Sequence, residues 1–68
     1  MSVLKVIEVL ASSEKSWEDA VRSAVKSAGK TVKGIRSVNI QNQSAVVKDN
    51  GVVEFRINAK ITFEVSKT

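Results

Sequence analysis

The chain has 68 residues, 43% of them hydrophobic and 26% charged, with a net charge of +4 and no cysteine or histidine. That length leaves room for a single domain, 1–68, and the missing residue types exclude disulfides, the usual Cys/His zinc centres and thiol- or histidine-driven catalysis. So small a domain buries a modest share of its surface, which leaves self-assembly as the expected staple.

Residues 3–10 form the first predicted strand. Val3, Ile7 and Val9 fall on one face and Leu4, Val6 and Leu10 on the other. A strand with one face on a core alternates apolar and polar. Apolar character on both faces calls for cover on both sides, and one helix supplies only one, so a subunit contact is expected. Lys5 and Glu8 interrupt the run, as a signal peptide would not. No stretch is long enough to span a membrane, and the expected location is the cytoplasm.

Ala11 to Lys15 reads as a polar connection. Ser16 is a helix N-cap, with Asp19 three residues on in the manner of a capping box. Trp17, Ala20, Val21, Ala24, Val25, Ala28 and Val32 recur at helical spacing. The spacing predicts a helix of about 16 residues, about 24 Å long, that stops at Gly34. Trp17 opens the apolar stripe and reads as packing at the helix start. Arg22, Lys26, Lys30 and Lys33 lie opposite and read as a solvated outer face. With no aromatic interleaving, nucleic acid is not an expected partner.

Residues 35–47 form a second strand, Asn50-Gly51 a two-residue hairpin turn, and residues 52–65 a third strand that alternates strictly. That turn pairs Val46 with Phe55, Ile40 with Ile61 and Val38 with Phe63 on an apolar face. The polar face then pairs Gln43 with Asn58, Gln41 with Lys60 and Asn39 with Thr62. The expected fold class is α+β: a β-α-β-β chain whose three-stranded antiparallel sheet wraps one helix. Strands of roughly 13 residues extend about 43 Å, more than the helix can cover.

Ser37, Asn39, Gln41 and Gln43, with Arg56, Asn58 and Lys60, offer hydrogen bonds and positive charge to a small anionic or aromatic ligand. In this register Ser37 and Arg56 lie about 26 Å apart, so one ligand meets both only across a subunit boundary. Glu8, Asp49, Glu54 and Glu64 are the candidate metal carboxylates. Calcium takes six to eight oxygens and no continuous loop supplies them, so a site needs several chains; otherwise these are ordinary surface charges. No pair of groups is marked as acid and base by spacing, and an enzyme is not expected.

The opening Ser2-Val3-Leu4-Lys5-Val6-Ile7-Glu8-Val9, the helix start Ser16-Trp17-Glu18-Asp19-Ala20 and the closing Ile61-Thr62-Phe63-Glu64-Val65 together resemble the dodecins. The resemblance implies a hollow spherical homododecamer that holds flavin (FMN, FAD or riboflavin) between subunits as a storage form. The family's flavin-stacking tryptophan corresponds to Ser37, its ring-edge glutamine to Arg56, and the acid near the ribityl chain to Asn42. Stacking on a protein ring is worth roughly 1–3 kcal/mol, so its loss weakens flavin binding by about tenfold or more. Members without the tryptophan are described as binding metal, notably calcium, and this chain looks closer to them. The expectation is therefore a flavin or nucleotide-like ligand. The alternative is a structural or metal-binding shell, with calcium or magnesium, that takes no flavin.

Overall fold

The computed structural model describes residues 2–67. Its elements are β1 (Ser2–Ser13), α1 (Trp17–Ala28), β2 (Ile35–Lys48) and β3 (Gly51–Lys67). The strands form one antiparallel sheet in the order β1-β3-β2, with α1 against one face. β3 is central because it is the longest strand and alternates throughout. Its odd-numbered residues supply the core: Ile57, Ala59 and Ile61 are buried, the first two in one cluster with Ala20 and Ala24 of α1. Alanines on the helix let its backbone approach the sheet closely.

The start of α1 is over-determined. The Asp19 backbone N–H donates to Ser16 Oγ at 3.0 Å, as the N-cap reading requires. The Ser13 hydroxyl, buried, donates to Asp19 Oδ2 at 2.6 Å and accepts from the Lys15 N–H at 2.9 Å. Ala11, Ser12 and Ser13 therefore continue β1 instead of opening a loop. The helix also ends earlier than its apolar spacing predicts. Gly29 caps it, and the Lys30, Thr31 and Val32 N–H groups bond back to Ser27 and Ala28 in a short turn. Glycine followed by β-branched Thr31 and Val32 propagates a helix poorly, so Val32, Lys30 and Lys33 lie outside it. Gly34 is not the helix stop. At φ +77° it turns the chain into β2, and its carbonyl accepts from the Glu64 N–H at 2.9 Å.

The hairpin turns on Asp49 and Asn50, both at positive φ (51° and 64°), with Lys48 paired to Gly51. Asp and Asn both tolerate this region, so the turn sits one residue before the expected Asn50-Gly51. The pairing shifts accordingly: Ile40 meets Ala59, Val38 meets Ile61 and Ile35 meets Phe63. Val38 and Ile40 stay on the helix side. Two irregularities rephase the segment between. Val53 has no partner in β2 and Gln41 has none in β3. Each extra residue is a bulge that switches which side chains face the core, and the second cancels the first. Between them, Asn42 and Ser44 turn outward opposite Asn58 and Arg56, while Gln43 and Ala45 share the helix-side face with Ile57 and Phe55. The expected pairings of Gln43 with Asn58 and of Val46 with Phe55 are thus corrected.

The molecule is 54 Å long, whereas a helix of 12 residues covers about 18 Å. Both ends of the sheet protrude beyond α1, and its outer face carries no layer.

Candidate functional site

The outer face is a set of rows running across the three strands. Partners in an antiparallel ladder point to the same side. Ser12–Arg56–Ser44 and Leu10–Asn58–Asn42 are two consecutive rows, about 7 Å apart. Together they floor an open trough of about 450 Å³. The bulges at Val53 and Gln41 create it: without them, Asn42 and Ser44 would turn toward the helix.

Trp17 holds the rephased segment from the other side. Its indole N–H donates to the Ser44 carbonyl at 2.9 Å, and its ring meets Phe55 edge-on, with centroids 4.9 Å apart at 73°. Trp17 is therefore structural, as its place on the apolar stripe predicts. With Phe55 and Phe63 also on the helix side, the outer face of a single chain offers no ring for stacking.

The electrostatics of the trough are one-sided. Arg56 is its charged group, and no carboxylate lines it. Arg56 Nε donates to Glu54 Oε1 at 3.1 Å, which steadies the guanidinium at the rim with further N–H donors to spare. Asn58 Oδ1 is buried with no hydrogen-bond partner, an uncommon state for a polar atom. Leu10, in the same row, is 79% exposed. An unserved acceptor beside an uncovered leucine marks a surface incomplete in one chain.

The predicted site residues separate into groups. Asn42 and Arg56 come together in the trough. Asn39 lies one row beyond it, opposite Lys60, and Ser37 two rows beyond, opposite Thr62. Gln41 occupies the bulge, and Gln43 belongs to the opposite face. Ser37 and Arg56 are six β3 residues apart, about 20 Å. That is nearer than the expected spacing, yet still beyond one small ligand in one chain. Asn58, named with Arg56 in the polar row, joins the trough, and so do Ser12, Ser44 and Leu10, which the sequence does not single out as ligands. Asn58 and Leu10 are legible as outward-facing; Ser12 and Ser44 depend on strand extent and bulge position.

No group of three or more Asp, Glu, Cys or His side chains gathers among the described residues. Glu54 is bound to Arg56, and Glu64 to Arg36 across the bulge at the start of β2. Glu8 stands opposite Lys60. The described residues of one chain therefore bring no calcium cage together. For flavin, the amides and guanidinium suit the polar ring edge and phosphate, while the stacking surface is missing.

The dodecin family profile matches residues 3–66. The chain belongs to the dodecin family. It is 35% identical over 65 residues to calcium dodecin of Mycobacterium tuberculosis, covering 96% of this chain and 92% of that one. The solved structure of that mycobacterial protein, described as a calcium-chelating immunodominant antigen with a novel calcium-binding site, aligns with a TM-score of 0.83. That alignment has 33% identity and covers 98% of this chain and 96% of the other. The tt0972 protein of Thermus thermophilus has the same fold, with a TM-score of 0.92 at 24% identity over the full length of both chains. The β-α-β-β dodecin fold expected from the sequence is thus the observed one. No helix among the described residues is long and apolar enough to cross a membrane.

Proposed function

We propose that this dodecin is a non-enzymatic binding and storage shell. Twelve copies assemble through their uncovered outer faces and enclose a small, anionic, hydrogen-bonding organic ligand of the flavin or nucleotide class. The trough carries the reading. It joins a tethered guanidinium, two amides, an unserved buried acceptor and exposed Leu10, with no acid in its lining. A positively charged, amide-rich surface recognises phosphate and polar ring edges, and a neighbouring chain would close it. In the absence of a stacking ring, a flavin here binds with reduced affinity. Titrating FMN into micromolar protein is expected to quench flavin fluorescence, and Arg56→Ala to weaken binding about tenfold, as loss of one charge-assisted contact does. Unquenched FMN at saturating protein would remove flavin from the reading.

A second reading, calcium held between chains, is favoured by the similarity to calcium dodecin. Carboxylates such as Glu8 and Asp49 would then meet around an axis of the assembly. Calcium at about a hundred times its Kd stabilises the folded state by about 2.7 kcal/mol. A chelator is therefore expected to lower the melting temperature by several degrees, and an unchanged melting curve rules calcium out.

A further inference from the structure

We propose that the outer side of α1 and the loop after it form a nucleic-acid-binding face that contacts the phosphodiester backbone and reads no bases. The segment from Arg22 to Arg36 carries Arg22, Lys26, Lys30, Lys33 and Arg36 with no acid, more positive charge than the +4 of the whole chain. All five residues are exposed. Arg36 is bound to Glu64; the other four make no ion pair among the described residues. Arg22 and Lys26 stand one turn apart, about 6 Å along the axis, and the chain carries Lys30 and Lys33 on beyond Ala28. Four exposed like charges within twelve residues, with no acid between them, repel one another and favour a polyanion that neutralises them together.

The distribution of apolar residues keeps this face available. Among the described residues, every exposed large hydrophobic side chain lies on a strand, and none on α1 or its following loop. Docking between copies, as proposed above, therefore uses the strands and leaves the basic face outward on each subunit. Repetition then turns weak single contacts into avidity. A lipid surface fits less well. A helix lying in a membrane interface turns an apolar face to the lipid, whereas Trp17, Ala20, Val21 and Ala24 are packed on the sheet. The lack of aromatic side chains beside the cations argues against base recognition alone; phosphate contacts need none.

The test is anisotropy of a labelled mixed-sequence DNA duplex with the assembled protein across a sodium chloride series. Affinity is expected to fall linearly on log–log axes. In R22Q/K26Q/K30Q the slope should shrink by roughly 0.9 for each phosphate contact removed, with the sedimentation mass unchanged. R22Q/K26Q serves if the triple variant does not assemble. Lys60→Gln, on the outer sheet face, should leave the slope as it is, and FMN quenching by R22Q/K26Q/K30Q should match that of the parent, which separates failure here from failure of the trough reading. Anionic phospholipid vesicles should stay unbound. No binding at low salt, a parental slope in the charge-neutralised variants, or capture of vesicles but not DNA would overturn the proposal.

Discussion

Trp17 shows how much rests on one side chain. Its ring packs on Phe55 and its N–H ties α1 to β2 at Ser44. Trp17→Phe keeps the packing and drops the hydrogen bond, so a loss of about 1 kcal/mol is expected. Trp17→Ala removes both and should cost about 3 kcal/mol. Urea midpoints at constant m-value measure the two, and an unchanged midpoint in Trp17→Phe would show that the Ser44 bond contributes nothing. Ser13 is the second such residue. Ser13→Ala leaves Asp19 Oδ2 and the Lys15 N–H without their partner, and about 1–3 kcal/mol should be lost in the same assay.

At the scale of elements, backbone conformation decides more than side-chain pattern. Gly34 sits at φ +77°, and a Cβ there would lie 3.0 Å from the Glu64 carbonyl oxygen. Gly34→Ala is therefore expected to destabilise by more than about 1 kcal/mol, although glycine-to-alanine changes often stabilise. In the hairpin, Asn50→Ala should cost about 1–2 kcal/mol because alanine resists positive φ, whereas Asn50→Gly should be tolerated. The opposite order in thermal melts would place the turn elsewhere. The bulges at Val53 and Gln41 act as a pair. They leave Ile40 and Val38 on the core and turn only the intervening residues, so the ligand-facing surface is set without disturbing the helix contact.

The whole molecule is a long, thin sheet under a short helix. Leu4, Val6 and Leu10 are 53%, 55% and 79% exposed on its outer face, and large apolar side chains left this open along one strand are suited to a protein contact. Substituting an exposed residue alters a subunit's own stability by about 0.5 kcal/mol or less. Leu10→Asp should therefore leave folding intact while breaking the assembly, seen as a fall in sedimentation mass. A variant that keeps the parental mass would move the interface off this face.

Much of this was legible along the chain. The odd-numbered apolar residues from Val53 to Val65, the Ser16 cap and the two apolar faces of the first strand are local patterns with fixed periods, and each marks its own element. The end of α1 was less legible, since the apolar spacing runs on through Val32 while Gly29 and the need to enter β2 stop the helix. The site was half legible: Arg56 and Asn42 were identified, Ser12 and Ser44 were not, and Gln43 was assigned to the wrong face. Composition and periodicity determined which residues belong to which element and that one face would be left uncovered. Only the tertiary structure decided where Asn42 and Ser44 point. A turn at Asp49–Asn50 and a helix seated over Ile40 impose registers at the two ends of β2, and the extra residues that let the outward row form between them are placed by the packing of the sheet as a whole.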